Sequence, residues 1–569
     1  MPCIWKPRGE KSDSTVAATL AEELSVSPLI VEILMNRGLT DAEGMDKFLS
    51  PLLRHMANPA EIPGLTQAVE VLAQGLAEGR TLAVWGDYDV DGITATAVVK
   101  EFFAMYDMDI LHHLPNRMEE GYGMNVPGVE QLHEQGATML LTVDCGISDM
   151  EPVARARELG MTVVVSDHHL PGDALPDADA ICDPRLENGG SCDDLAGVGV
   201  AFMLMVALNK LLPGDPVDVR PLLDLVALGT IADIVKLTGQ NRILVKNGLL
   251  LIKEGKRPGM AALKVVSEYE RGAELGAGQI GFNLAPRINA AGRMGDPTKA
   301  LDMLLAKDFD TAMPIAEELN SINMERRRQE KEISEQAFAQ AETMRDMAGL
   351  VLYGEDWHPG IIGIVASRVV EKYYRPTLIL CSPEAAEGLL KGSGRSIAEF
   401  DLYEGLKAVS GVLVGFGGHK QAAGMSLEAD NLAALREQFN QYVIDTLGPE
   451  PLTPTLKLDH ELGFSNINNT LLQELELLQP FGMGNPEPVF ATEPVTVAEH
   501  RTFGREREHV KLVLQDKETG AKFPGKAWRM GGSLPREIQG RTMRFAFTPK
   551  IDRYRGIPKI DLRIRDWLY

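Results

Sequence analysis

The segment from Trp85 to Gly92 reads WGDYDVDG and places three aspartates within five positions. These residues, Asp87, Asp89 and Asp91, follow an apolar run and precede a glycine. Unpaired carboxylates this close repel one another and raise one another's pKa, whereas a hard divalent cation turns the same crowding into coordination. The spacing therefore predicts a metal site.

Two other apolar runs end in the same kind of residue. MLLTV is followed by Asp144, and MTVVV by Ser166, Asp167, His168 and His169. One Asp at such a junction is ordinarily a helix N-cap, but three junctions carrying five acids and two histidines do not fit that interpretation. A mixed carboxylate and imidazole set suits Mn²⁺ or Mg²⁺.

The elements that must position these residues alternate from about residue 80. Short apolar runs such as TLAVW, DILHHL and ATMLLTV are separated by amphipathic stretches, a pattern typical of parallel strands buried between helices. Ligands of open α/β sheets bind beyond the carboxyl ends of the strands, where these acids lie. Cys145, next to Asp144, is expected to point into the core because neighbouring strand residues face opposite sides.

The rest of the chain predicts three further parts. The stretch 313–346 is polar on every face in its middle and predicts a long helix that connects domains. A second α/β pattern follows it, and after about residue 450 short alternating runs predict a β-rich module. Aromatic and basic residues interleave in that module, as base-stacking surfaces require; the aromatics are Phe503, Phe523, Trp528, Phe545, Phe547 and Tyr554.

Composition narrows the class of protein. The chain has 569 residues, 44% of them hydrophobic, which predicts several domains, and no segment resembles a signal peptide or membrane helix. Five cysteines without a CxxC pair argue against a disulfide framework and favour a soluble, cytoplasmic protein with no membrane partner. The net charge is −24, yet residues 501–569 hold 17 Lys and Arg against 8 Asp and Glu, which favours a nucleic-acid partner at that end.

Four motifs resemble those of the DHH phosphoesterase family, which takes its name from a sequence such as SDHH. They are GDYDVDG, TVDCGIS, SDHH and GTIADIV. Further segments, LPNRMEEGYG, APRINAAGRMGDP, DWHPGIIGIVASR and GFGGHKQAAG, are similar in content and order to the RecJ branch of that family. The resemblance implies an exonuclease that degrades single-stranded DNA from its 5′ end to mononucleotides, in recombination and repair, using two Mg²⁺ or Mn²⁺ ions.

The resemblance also implies a set of metal ligands. Asp89 and Asp91 would bind metal at the end of the first strand, and Asp144 would bridge the two ions. His168 would bind one ion, and Asp233 in TIADIV would complete the second site.

Three neighbouring residues have related roles in the family pattern. Asp87 either binds metal directly or hydrogen-bonds a ligand, and Asp167 orients its neighbours. His169 would face the scissile phosphate and, with the bridging Asp144, act in catalysis.

Basic and hydroxyl side chains must also bind the phosphates of the strand. The small residues Ala290, Ala291 and Gly292 would let a backbone approach closely beside the arginines of PRINAAGR, and Ser393 with Arg395 is a candidate cap for the 5′ phosphate. The candidate substrate-binding residues are Arg117, Arg287, Arg293, Ser393, Arg395 and His419.

The predicted architecture is an α/β, DHH-type parallel-sheet domain joined by a long helix to a second α/β, DHHA1-type domain, followed by an OB-like module. The expected boundaries are an N-terminal segment 1–50, a DHH catalytic domain 51–300, a connecting helix 301–346, a DHHA1-type nucleic-acid-binding domain 347–450 and an OB-like DNA-binding module 451–569. Because all proposed ligands precede residue 234, removal of the last module is expected to lower DNA affinity and leave the chemistry.

Two other functions stay open at this point. A small-molecule or nano-oligonucleotide DHH phosphoesterase could use the same metal cluster, although such chains usually stop after two domains. A catalytically inactive relative that serves as a replication scaffold is disfavoured because every proposed ligand is present. Single-stranded DNA is the expected partner, and the resemblance adds a single-strand-binding protein and a RecQ-type helicase.

Overall fold

The chain forms two compact units. A computed structural model describes residues 3–9, 13–117, 120–121, 123–187, 190–383, 388–535, 537–552 and 559–569. Unit 1 contains Met1–Gly292, Asp296–Glu318 and Thr455–Tyr569, and unit 2 contains Arg293–Gly295 and Leu319–Pro454. Within the described residues, no helix is long and apolar enough to cross a membrane.

A five-stranded, wholly parallel sheet lies at the centre of the first part of unit 1. Its three central strands are almost entirely buried, as expected for a sheet covered by helices on both faces. In spatial order they are Leu111–His113, Leu82–Gly86, Met139–Val143, Thr162–Ser166 and Ala180–Cys182. The predicted α/β class is confirmed, and Cys145 is buried in the core as expected.

Helices connect and cover these strands. The helix Val90–Ala104 is capped by Asp89 and buried along most of its length. Leu223–Ala232 ends directly at Asp233. The other helices of this region are Leu65–Ala77, Val126–Glu134, Met150–Glu158, Gly197–Leu208, Gly239–Glu254, Pro258–Val266, Ala285–Met294 and Thr298–Leu305.

The two ends of the chain share one hydrophobic core in unit 1. The first residues form the strand Ile4–Pro7, which pairs in parallel with Thr455–Leu458. The three helices that follow pack onto the C-terminal strands through Ile30, Leu34 and other apolar residues. These helices are Ser14–Leu24, Pro28–Met35 and Ala42–Leu49.

The C-terminal strands close into a barrel. Thr542–Asp552 pairs both with Val495–Phe503 and with the last strand, Lys559–Leu568. His509–Gln515 and Lys522–Ala527 complete the ring, and the short strands His460–Glu461 and Phe490–Ala491 extend it at one edge. The predicted OB-like module is confirmed as a fold.

The aromatic residues of the barrel divide into two groups. Phe545 and Phe547 are fully buried in the core, so they do not offer a stacking surface. Phe503 and Trp528 lie near the surface around His509, with their rings 5.4 Å apart. Phe523 packs against the core beside Phe464, and Tyr554 lies outside the described residues.

Hydrogen bonds join the barrel module to the parallel-sheet region of unit 1. The buried guanidinium of Arg242 donates to the carbonyls of Phe48, Leu477 and Leu478 at 2.8–3.0 Å. Leu237, which lies four residues beyond Asp233, donates its N–H to the carbonyl of Met483 at 2.8 Å. The C-terminal module is thus built into unit 1.

Unit 2 contains a mixed five-stranded sheet. Leu350–Gly354 and Thr377–Cys381 run parallel, and the remaining pairs are antiparallel. From one edge of the sheet to the other, the strand order is Gly415–Gly418, Ala422–Glu428, Leu389–Arg395, Thr377–Cys381 and Leu350–Gly354. The accompanying helices are Ile362–Tyr373, Leu402–Ala408 and Leu432–Leu447.

The predicted long helix forms, but its polar middle is not wholly exposed. Phe309–Thr343 is one helix whose first residues belong to unit 1 and whose remainder belongs to unit 2. Asn323, Arg326 and Glu330 lie at helical spacing on one buried face. Arg326 pairs with Glu330 at 3.0 Å, and Glu330 also binds Arg368 at 3.1 Å. A stripe of mutually paired polar residues is therefore buried where hydropathy alone indicated none.

Candidate metal centre

The register of the parallel sheet brings three aspartates to one edge. Gly86 pairs with Val143, and Val143 pairs with Ser166. The next residue on each strand is therefore an aspartate, and these are Asp87, Asp144 and Asp167. All three are buried.

The loop after the first strand holds two further carboxylates. One oxygen of Asp89 accepts the N–H groups of Asp91 and Gly92, at 2.8 and 3.1 Å, as an N-cap does. Asp91 accepts the N–H groups of Gly197 and Val198 at 2.7 and 3.1 Å, at the start of the helix Gly197–Leu208. The N-cap interpretation is thus correct for Asp89 and still leaves its second oxygen for another ligand.

Every predicted metal ligand lies in one connected cluster. Ligand atoms lie within 4.8 Å of one another in each of three overlapping groups. The groups are Asp87, Asp89 and Asp144; Asp91, His168 and Asp233; and Asp144, His168 and His169.

His168 is held in the tautomer that a metal ligand needs. Its Nδ1 lies 3.1 Å from the carbonyl of Leu195, so Nδ1 carries the proton and donates it. Nε2 then faces Asp144 Oδ1 at 3.1 Å and Asp233 Oδ2 at 3.7 Å with its lone pair. Burial, followed by the neighbouring charge of His169, lowers the pKa of His168 to about 4, which favours the neutral ring.

Asp167 organises the pair of histidines. Its carboxylate accepts the N–H of His168 at 2.7 Å and that of Ile147 at 3.0 Å, and it contacts His169 Nδ1 at 2.7 Å. Burial alone would lower the pKa of His169, but this hydrogen bond and the surrounding carboxylates outweigh it and raise the pKa to about 9. These contacts favour the protonated ring of His169, whose side chain is 39% exposed.

The acids of the cluster are costly to ionise without a cation. Burial, followed by the charges of neighbouring aspartates, raises the pKa of Asp87, Asp144 and Asp233 well above the usual range. The same causes raise the pKa of Asp91 to about 7. Such pKa shifts indicate carboxylates whose negative charge a bound cation would compensate.

Unpartnered buried atoms test whether a divalent cation fits the cluster. Asp87 Oδ1, Asp144 Oδ1, His168 Nε2 and Asp233 Oδ2 are all buried and have no hydrogen-bond partner. A buried polar atom is rarely left in this state unless a ligand satisfies it. The donor set of oxygen and imidazole nitrogen, without a thiolate, suits Mn²⁺ or Mg²⁺.

Several contributors to the centre carry no signal in the sequence. The Leu195 carbonyl and the Gly197 and Val198 amides belong to LAGVGV, a segment that reads as an apolar helix start. An ideal Cβ on Gly197 would lie 2.5 Å from Asp144 Oδ1, so the site needs glycine there. The run of small residues in LAGVGV is the only sequence feature that indicates these contacts.

Known proteins match this chain over most of its length. Residues 81–230 match the DHH family N-terminal domain, 346–445 the DHHA1 domain and 458–566 the RecJ OB domain. The chain is 36% identical over 562 residues to the single-stranded-DNA-specific exonuclease RecJ of Dickeya dadantii, covering 95% of this chain and 96% of that protein. The chain belongs to the RecJ family.

Two other RecJ proteins support this assignment. The chain is 34% identical to RecJ of Bacillus subtilis over 513 residues, which cover 90% of this chain and 64% of that protein. The crystal structure of RecJ from Thermus thermophilus in complex with Mn²⁺ matches with a TM-score of 0.84 and 29% identity, over 100% of this chain and 79% of that one. The predicted family and the order of its DHH, DHHA1 and OB domains are confirmed.

The candidate phosphate-binding residues of this RecJ-family chain divide between the two units. In unit 1, the Arg117 guanidinium lies 5.2 Å from the centre of the Tyr88 ring, next to Asp87. Arg287 donates to the carbonyls of Asn283 and Val266, so part of its guanidinium serves the protein backbone.

The helix of the RecJ motif PRINAAGR packs onto the acidic loop. An ideal Cβ on Gly292 would lie 2.3 Å from the carbonyl oxygen of Tyr88, and the Asn289 side chain accepts the N–H of Val90 at 3.3 Å. The expected close approach at the small residues is therefore made by this loop of the protein itself. The sequence did not single out Asn289.

The remaining candidates belong to unit 2. Arg293 donates to the carbonyl of Gly360 at 3.1 Å. Ser393 and Arg395 lie together, with 3.1 Å between Arg395 Nη1 and Ser393 Oγ. His419 is exposed directly after the strand Gly415–Gly418.

Proposed function

We propose that the chain is a metal-dependent exonuclease specific for single-stranded DNA, acting in recombination and repair, and that it cleaves at the carboxylate and histidine cluster of unit 1. Membership of the RecJ family supports the activity. The observation that carries the assignment of the site is the set of four buried, unpartnered ligand atoms within that cluster.

The residues divide between two ion positions. Asp87 and Asp89 would hold one ion, and Asp91, His168 and Asp233 the other. Asp144 belongs to groups on both sides, which supports a bridging role. Two Mn²⁺ or Mg²⁺ ions bound there would supply the charge that acidifies the attacking water and stabilises the departing 3′ oxygen.

Protein groups orient the substrate at this centre. His169 is held by its Nδ1 contact with Asp167, and its partly exposed ring would face a non-bridging oxygen of the scissile phosphate. The Leu195 carbonyl accepts a hydrogen bond from His168 Nδ1 and so fixes the tautomer whose Nε2 lone pair faces the other ligands. Asp167 and Leu195 therefore act by positioning the histidines.

A 5′-phosphate anchor in unit 2 would account for 5′-to-3′ polarity and the release of 5′-mononucleotides. An ideal Cβ on Gly363 would lie 2.9 Å from Ser393 Oγ and 3.2 Å from Arg395 Nη2. Both side chains therefore adjoin the first turn of the helix Ile362–Tyr373. A hydroxyl and a guanidinium beside a helix start together suit a terminal phosphate.

Arg395→Ala is expected to reduce the preference for 5′-phosphorylated over 5′-hydroxyl strands, because it removes the charge-assisted contact to the terminal phosphate. The measurement is kcat/KM on matched oligonucleotides that differ only in the 5′ group. Lys391→Ala is the control, since Lys391 is exposed on the same strand, Leu389–Arg395. Equal losses on both substrates would assign Arg395 to another part of the backbone.

The proposed activity predicts Mn²⁺-dependent release of labelled mononucleotide from a 5′-labelled single strand at early times, and late release from a 3′-labelled strand. Pyrophosphate and dinucleotides test the alternative of a small-molecule phosphoesterase. Faster turnover of these small substrates than of long single strands would contradict an exonuclease, and early release of the 3′ label would contradict the polarity.

The same proposal includes the protein partners and the compartment. A RecQ-type helicase and a single-strand-binding protein are proposed partners, because one produces and the other covers the single strand on which the enzyme acts. A cytoplasmic location follows from such work on DNA. Co-purification of either partner with the full chain is the direct measurement.

A further inference from the structure

Three strongly exposed apolar side chains lie on segments that carry metal-centre residues or pack against such a segment. Phe282, Ile234 and Leu170 are 84%, 67% and 61% exposed, which ranks them among the five most exposed large apolar residues of the described chain. Isolated exposed apolar residues are common on protein surfaces, but several around one polar site suggest a ligand contact. We call Leu170, Ile234 and Phe282 the apolar rim.

Two residues of the apolar rim are next to cluster residues in the chain, and the third lies on a turn that packs against the helix before Asp233. Leu170 directly follows His169, and Ile234 directly follows Asp233. Phe282 lies in the π-helical turn Ile280–Leu284, which packs on the helix that ends at Asp233. An ideal Cβ on the adjacent Gly281 would lie 3.5 Å from Ile231 Cγ2.

The backbone at two of these positions departs from regular structure. Ile234 has φ 63°, a left-handed conformation that β-branched residues rarely adopt. Phe282 stands in a π-helical turn, a local irregularity found frequently at functional sites. Neither backbone conformation buries the apolar side chain of Ile234 or Phe282, so core packing does not explain the irregular backbone.

We propose that the apolar rim holds the sugar and base of a nucleotide beside the scissile phosphate, with the base stacked on Phe282. The proposal rests on the proposed function, because it places that phosphate at the carboxylates. The cluster itself offers charged and polar groups, which suit a phosphate, whereas a base needs an apolar or aromatic face. Because a paired base within a duplex is stacked on both sides, only an unpaired strand can supply this contact.

The test uses Phe282→Ala and a series of four oligonucleotides. Each oligonucleotide carries a single abasic residue, at the first, second, third or fourth position from the 5′ end. In the unsubstituted enzyme, one abasic position should lower kcat/KM for cleavage at the adjacent bond by about 5- to 150-fold, the range of base–aromatic stacking. Phe282→Ala should cause a similar loss on the intact strand and no further loss at that abasic position. Phe282→Trp should again cleave the intact strand with a higher kcat/KM than the strand with that abasic position.

Controls separate stacking from folding and from the proposed function. Leu250→Ala removes a comparably exposed side chain from the helix Gly239–Glu254 and should leave kcat/KM and the melting temperature unchanged. Equal abasic penalties in the unsubstituted enzyme and Phe282→Ala would overturn the proposal, and so would an unchanged kcat/KM in Phe282→Ala. Full activity of an Asp144 variant would instead overturn the assignment of the site.

Discussion

Asp144→Asn is expected to lower cleavage of single-stranded DNA by more than about 100-fold, since even residues that only support metal ligands cost 10- to 100-fold when removed. Asn keeps the size of the side chain and tolerates the left-handed backbone at residue 144, where φ is 62°. The loss would therefore come from the missing charge at the proposed bridging position. Initial rates at saturating Mn²⁺ measure it.

The same substitution should raise the melting temperature of the metal-free protein. The pKa of Asp144 is raised in the folded state, so its ionisation favours the unfolded chain, and stability falls as the pH rises above the unfolded pKa. The advantage of Asp144→Asn should therefore be larger at pH 8 than at pH 5. Mn²⁺ should stabilise the unsubstituted protein more than the variant.

Asp173→Asn is the matched control, because Asp173 is exposed in the loop after His169. It should change neither cleavage nor melting temperature. Near-normal activity of Asp144→Asn at saturating Mn²⁺ would remove Asp144 from the bridging role. A lower melting temperature of the metal-free variant at pH 8 would show that the carboxylate is stabilised by contacts other than a metal.

A chain that ends at residue 450 is expected to lose cooperative folding, in contrast to the expectation from the sequence that only DNA affinity would fall. The cut removes the strand that pairs with Ile4–Pro7 and exposes the N-terminal helices, which bury Ile30 and Leu34 against the barrel module. Exposed apolar surface of this extent favours aggregation. Thermal melting and size-exclusion chromatography measure the outcome.

A chain of residues 51–450 supplies the comparison, because it removes both halves of the shared core together. It should stay soluble and hydrolyse short oligonucleotides slowly, with a raised KM on long strands and a shallower salt dependence of binding. A reduced kcat is also expected, because the Leu237 N–H loses its contact with Met483 near Asp233. Cooperative melting of the chain 1–450 would refute the shared core.

The metal centre could be predicted largely from the sequence because a parallel sheet aligns the carboxyl ends of its strands. Asp87, Asp144 and Asp167 each follow an apolar run, and the register brings them to one edge. The Leu195 carbonyl and the Gly197 amide could not be predicted in this way. Main-chain groups have no residue type of their own, and their role arises only from tertiary packing.

Local patterns were less informative where distant segments pack together. The interleaved aromatic and basic residues that predict a base-stacking surface include Phe545 and Phe547, yet both side chains are buried within the strand Thr542–Asp552. For the first fifty residues the sequence predicts only an N-terminal segment and no packing partner. Their partner lies more than 400 residues away, and only the structure reveals it.

The shared core of the two chain ends also sets an order of events during protein synthesis. Residues 3–49 are translated before the strand Thr455–Leu458, which pairs with Ile4–Pro7 and lies more than 400 residues further along the chain. At roughly 5–20 residues per second, the interval is about 20–90 s. During that time the apolar faces of the three helices within residues 14–49 lack the C-terminal strands that cover them in the folded protein, and transiently exposed apolar surface of this kind favours aggregation.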